Sequence, residues 1–310
     1  MNTQSNSMSE SFGSETVAPA PIPTLQVLLW SVRRELWENR SIYLAPLAVA
    51  SVFFLGFLLT LPHLPSRMRA LVGLDPMHYR AALAVHYDLG AGLMMATSIL
   101  VSVFYCLDAL HSERGDRSIL FWKSLPVSDG MTVLAKAIIP FVILPVLAAV
   151  MGAALQIMMM LLSSVVLLAS GQSVAVLWRQ LPVLPMSLLL LYHLVTAHAL
   201  WPAPIYCWLM LVSGWARRAA FLWAILPLVV IGALEQIIFH TSRFLMMVGH
   251  RLIGNAPANG ITPDNIFPTN PMTHITPGTF LSSPGLWIGL AVGVAFLAVA
   301  VRVRRSAGAI

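Results

Sequence analysis

The chain has 310 residues, 58% of them hydrophobic and only 10% charged, with a mean hydropathy of +0.81. Charge that sparse cannot solvate a globular surface, which normally draws on about a quarter of its residues. The net charge of +6 therefore reads as basic flanks on membrane spans, with no nucleic-acid partner. Cys106 and Cys207 lie inside apolar runs and offer neither a disulfide framework nor a metal-ligand spacing.

Residues 1–23 carry Glu10 and Glu15 but no Lys or Arg. They lack the basic start and apolar core of a secretory signal and read as a disordered cytoplasmic tail. The stretch TLQVLLWSVRRELWENRS follows, with Leu25, Leu28, Leu29, Val32 and Leu36 at helical spacing. Thr24 is placed to cap this helix. With Arg33, Arg34, Glu35 and Trp37 beside its apolar face, residues 24–40 predict an amphipathic helix lying in the membrane interface.

Six apolar segments reach the ~20 residues a bilayer core requires. They are Ser41–Leu61, Leu89–Asp108, Met131–Ala169, Val183–Val212, Ala219–Phe239 and Gly285–Val301. The fold class is an all-α membrane protein with a six-span domain over 41–303 and a cytoplasmic tail at 304–310. The third span is overlong and holds Pro140 and Pro145, so a kink is expected. The fourth is interrupted by Trp201-Pro202-Ala203-Pro204. An N-terminus inside puts 12 Lys and Arg on the cytoplasmic side and 6 on the other, which predicts cytoplasmic termini. The outer connection 240–284 opens with TSRFLMMVGHRLIG, read as a short helix dipping into the outer leaflet. His63, His78 and His86, in the other long outer connection, match no metal-ligand motif.

Between the second and third spans lies HSERGDRSILFWKSLPVSDG, dense in charges of both signs. Ser112–Trp122 predicts a short helix closed by Pro126, and Ser128 or Asp129 can cap the next one. Mixed signs are what a specific protein interface uses to fix register; a solvated loop is the alternative. The run ERGDRSILFWKSLPVS resembles the corresponding segment of the ABC type-2 transporter permeases, where E-R-x-D-x-S-[IL]-x-x-x-K-S-L-P-[VI]-[ST] follows the second span. VRRELWENRS resembles that family's entry helix. The resemblance implies a permease that pairs with a second permease copy, as homodimer or heterodimer, and with two copies of an ABC ATPase subunit. It makes 112–122 the coupling helix, with Glu113, Arg114, Asp116, Arg117, Ser118, Phe121, Trp122 and Lys123 as its contacts. ATP and Mg would be handled by the partner, since no G-x-x-x-x-G-K-[ST] loop occurs here. The implied site is the bacterial cytoplasmic (inner) membrane.

Ionisable groups within spans invite functional readings. Asp108 ends its span and anchors the turn. His193 and His198, about 140° apart on an α-helix, do not share a face. Glu235 sits toward the outer end of the fifth span; with His193 and His198 it is the candidate for a transport path, and a structural ion pair is the alternative for Glu235. Met158-Met159-Met160 and Trp201 read as lining for an amphipathic or hydrophobic cargo. A proton-coupled secondary transporter and an intramembrane hydrolase are the rival classes; H-E-x-x-H and G-x-S-x-G are both absent.

Overall fold

The computed structural model describes residues 23–71, 76–115, 127–253 and 276–306, and every regular element among them is helical. Six stretches are long and apolar enough to cross a membrane: Ser41–Ala70, Ala82–Gly115, Asp129–Ala169, Val174–Leu200, Ala220–Phe239 and Pro284–Ser306. Five agree with the apolar segments in the sequence to within their ends. The fourth differs, because its apolar run is broken into pieces.

Helix α1 (Thr24–Glu38) starts without the expected cap. Pro23 holds the N-cap position and no side chain bonds the first turn. Val32 and Glu35 are buried, and Leu28 and Leu36 pack against the core. Leu25, Leu29, Trp30 and Trp37 stay exposed, with the Arg33 guanidinium 5.3 Å from the Trp37 ring centre. One face is docked and the other is apolar with a cationic edge, as an interfacial helix requires.

Helix α2 (Ser41–Thr60) leads through a tight turn into α3 (Leu64–Leu71), and α4 (Pro76–Asp108) returns to end in the one-turn α5 (Ser112–Gly115). Helix α6 (Asp129–Ile138) is capped by Ser128, whose Oγ accepts from the Met131 amide at 3.2 Å. The expected irregularity follows at once. Ile139–Ile143, around Pro140, is wide-turned π-helix, the form that absorbs a missing donor within a long helix. Helix α7 (Leu144–Ala169) continues the crossing. It ends where Gln172 N bonds Leu167 O and Gly171 N bonds Leu168 O, with Gly171 at φ 69°. That paired closure needs a left-handed residue, which glycine supplies without steric cost.

Helix α8 (Val174–Gln180) precedes α9 (Val183–Val195), a second π stretch Thr196–Leu200, a turn at Trp201-Pro202, and α10 (Ala203–Trp215). Helix α11 (Ala220–Phe239) is bracketed by left-handed Ala219 and His240. The expected outer helix is present as α12 (Arg243–Ile253). It folds back so that Leu245 lies against Gly232, where an added Cβ would come within 2.5 Å of it. A short α13 (Pro277–Leu281) leads into α14 (Pro284–Ser306).

Packing gathers the bundle around two large cores and a small third one of Ala91, Ala148, Ala149, Leu190 and Leu194. At one end Tyr105, Ile139, Leu144, Tyr206 and Met210 join α1, α4, α6, α10 and α14. Toward the other end Phe57, Tyr87, Met159, Met160 and Leu167 join α2, α4 and α7. Met159 and Met160 are wholly buried, so these two are packing, whereas Met158 faces outward. Of the six crossings, α11 is the least enclosed. Only Ala220, Ala224 and Gly232 on it are buried.

Candidate functional site

The end of the bundle that carries α5 holds a closed set of charges. Glu35 from α1, Glu113 from α5, Lys136 from α6 and Arg304 from α14 are each no more than 4% exposed. Burial of that depth demands compensation for every charge, and the geometry supplies it. Lys136 Nζ lies 2.8 Å from Glu35 Oε1 and 3.1 Å from Glu113 Oε1. A compact ammonium with three donors is suited to bridging two carboxylates in this way. Arg304 spans the other side, with Nη1 on Glu113 Oε2 and Nε 3.1 Å from Asp129 Oδ1. Arg34 Nη2 reaches Glu35 Oε1 at 2.9 Å and Glu113 Oε1 at 3.4 Å. The Tyr105 hydroxyl donates to Glu35 Oε2 at 3.0 Å. Among the described residues three carboxylates thus meet three cations, with a phenol satisfying a remaining lone pair. At the rim, burial raises the Glu38 pKa, opposed by Arg34, whose Nε is 3.5 Å away.

Beside this cluster the turn after α4 is fastened to the end of α10. Leu110 N donates to Ser213 Oγ at 3.2 Å, and Arg114 Nη1 donates to Gly214 O at 2.7 Å. His111 Nδ1 is 3.1 Å from Ala216 O. A helix C-terminus leaves carbonyls without partners and carries partial negative charge, and Arg114 answers both.

The expected contact residues therefore separate. Glu113 and Arg114 point into their own chain. Asp116, Arg117, Ser118, Phe121, Trp122 and Lys123 lie outside the described residues, and of the expected helix 112–122 the described part is Ser112–Gly115. Of the interfacial set, Arg34 and Glu35 turn inward, whereas Arg33 and Trp37 face out.

The intramembrane candidates find other work. Glu235 Oε1 accepts from Thr241 Oγ1 at 2.7 Å and from Arg243 N at 2.9 Å, and its Oε2 accepts from Phe244 N at 2.8 Å. It caps the start of α12, a role that needs three acceptor contacts and no proton transfer. His193 Nδ1 is 3.0 Å from Leu189 O. His198 lies in the wide-turned stretch, so the α-helical angle between the two histidines does not apply. Among the described residues no three His, Cys, Asp or Glu side chains group to hold a metal, and Cys106 and Cys207 are buried free thiols.

A second fastening lies midway along the bundle. Arg251 of α12 donates through Nη1 to Trp201 O at 3.1 Å and through Nη2 to Gly285 O, and its guanidinium sits 4.3 Å from the Trp201 ring centre. The break at Trp201-Pro202 frees that carbonyl, since Ile205 N bonds Pro202 O instead. Trp201 is thus engaged by an arginine, not by an open cleft.

Lys136, Arg304 and Tyr105 are not singled out by the sequence patterns, and Asp129 is read there only as a candidate cap. The available signal was Lys136, a lone cation inside an apolar helix, which needs a counter-charge from elsewhere. No protein-family model, curated protein or solved structure matches the chain.

Proposed function

We propose that this chain is the membrane-spanning subunit of an ATP-driven transporter of the ABC type-2 permease kind, exporting a hydrophobic or amphipathic substrate. The motif likeness across residues 113–126 and the six apolar helices support the reading. The observation that carries it is Lys136 held between Glu35 and Glu113. Through it, a push on the turn after the second span reaches the interfacial helix and the third span together, and Arg304 passes it to the last span. Glu113 serves inside this relay, and the surface contacts with the ATPase fall to residues 116–123. In this reading two ATPase subunits bind ATP and Mg, a second permease copy completes the route, and both termini are cytoplasmic. The chain itself hydrolyses nothing. Glu235, occupied as a cap, gives no support to a proton-coupled alternative.

The test is purification of the tagged full-length chain from its native membranes in mild detergent. A co-purifying chain with a G-x-x-x-x-G-K-[ST] loop and Mg-dependent ATP hydrolysis are expected. Asp116→Lys and Arg117→Glu should each reduce its recovery without changing the melting temperature of the membrane chain. Absence of any such chain and of any hydrolysis would overturn the reading.

A further inference from the structure

The end of the bundle remote from the charge cluster carries a groove between α2 and α4 that the transporter reading does not use. Ala48, Val52, Phe53, Gly56 and Leu93 line its lower part, which encloses about 620 Å³, within the ~300–1,000 Å³ range of small-molecule sites. Phe57, Thr60 and His86 are shared with a second depression above it that includes Arg67. From Ala48 to Thr60 the groove follows ~18 Å of helix. Half of a bilayer's hydrocarbon core is ~15 Å, so its length suits one leaflet.

Its surroundings say where an occupant comes from. Val52, Leu55 and Leu59 on the same helix are 71%, 60% and 79% exposed, so the groove opens sideways onto an apolar surface. Its head is cationic. Arg67 is exposed, and its Nη1 lies 3.3 Å from His86 Nε2. Among the described residues no carboxylate pairs with it, and a guanidinium retains further donors in the fork that suits phosphate oxygens.

We propose that the α2–α4 groove binds an anionic phospholipid of the bilayer, with an acyl chain along Val52, Phe53 and Gly56 and the phosphate on Arg67. Arg67 supplies charge selectivity and Gly56 supplies room. An added Cβ at Gly56 meets nothing within 4 Å, so a side chain there starts in open space on the wall of the groove. The site belongs to this chain alone and stands or falls independently of any ATPase.

The experiment is native mass spectrometry of the purified full-length chain after equilibration with equal amounts of phosphatidylglycerol and phosphatidylcholine. The unmodified chain should retain phosphatidylglycerol preferentially. Arg67→Gln should reduce that preference about fivefold, the scale of an exposed charge pair. Gly56→Leu should reduce retention of both lipids, and Arg243→Gln, on α12, should change neither. Equal retention of the two lipids by the unmodified chain would overturn the proposal, as would a preference that survives both Arg67→Gln and Gly56→Leu. A change of oligomeric state in Gly56→Leu with lipid retention intact would assign the groove to a second copy and overturn it equally.

Discussion

Glu113 and Arg304, 191 residues apart in sequence, form an ion pair in which both side chains are almost wholly buried. The pair closes the bundle at the end where the charged connection emerges. It ties the last crossing to the turn after the second, while Lys136 ties that turn to the third crossing and to α1. A carboxylate in a charged surface-like sequence is thereby an internal joint of the fold.

Removing one member of this set should cost far more than removing a surface charge. Glu113→Gln takes from Lys136 and Arg304 the carboxylate they share, leaving Lys136 on Glu35 and Arg304 on Asp129, and breaking a buried pair costs about 3–5 kcal/mol. A clear fall in melting temperature and in folded yield is expected in detergent. Lys136→Met should do the same. Because the two groups touch, the double variant should lose less than the two single losses together, by ~0.5–3 kcal/mol. A Glu113→Gln chain as stable as the parent would show that the charges are not coupled.

How far the sequence carried can be read from individual residues. Apolar length is a local property, so five of the six spans, the helix that begins at Thr24, a cap at Ser128 or Asp129 and the irregularity near Pro140 were legible, whereas the bounds of the fourth span were not. The charge cluster was not. Glu35, Glu113, Lys136 and Arg304 come from four separated segments, and nothing in a linear pattern distinguishes a charge facing solvent from one facing a distant partner. Glu113 and Arg114 read as outward contacts because they lie in a connection of mixed charge signs and on the motif that resembles the permease coupling helix. Glu235 was assigned to the right end of its helix, yet its partners, two backbone amides and a hydroxyl just beyond the turn, depended on α12 folding back.

Helix α12 is held at its far end by Arg251, and that hold depends on Gly289. An added Cβ at this glycine would lie 2.6 Å from Arg251 Nη1. Gly289→Val should expel the guanidinium from the Trp201 and Gly285 carbonyls. Hydrogen bonds to charged groups contribute ~1.5–3 kcal/mol, so amide exchange across 243–253 should speed up by at least about tenfold. Arg251→Met should reproduce the change. Unaltered exchange in both variants would remove Arg251 as the fastening.

The near end of α12 depends on Glu235. Glu235→Leu removes every acceptor offered to Thr241, Arg243 and Phe244, and exchange of the Arg243 and Phe244 amides should rise. Glu235→Gln keeps one acceptor oxygen and should lie between the parent and Glu235→Leu. If the chain transports as proposed, any loss of transport should follow the same order and be independent of a proton gradient. Complete loss of transport in Glu235→Gln with α12 undisturbed would instead return this residue to the transport path.

The orientation of the bundle in its membrane rests on basic residues, which act during insertion, before the buried pairs form. Discounting Arg34, Lys136 and Arg304, the three cations enclosed in the cluster, still leaves nine of the twelve Lys and Arg that the sequence assigns to the cytoplasmic side, against six assigned to the other. Topology follows Lys and Arg without regard to acidic neighbours, so the carboxylates of the cluster do not weaken the bias. Ser306 closes α14 at the end that holds the cluster and is exposed. Single cysteines at Ser5, Asn265 and Ser306, in a chain with Cys106 and Cys207 replaced by Ala, would report sidedness to an impermeant thiol reagent. Asn265 should label in intact cells, and Ser5 and Ser306 only after permeabilisation. Labelling of Ser306 in intact cells, or protection of Asn265, would invert the bundle and place the Lys136 cluster on the side away from any cytoplasmic ATPase.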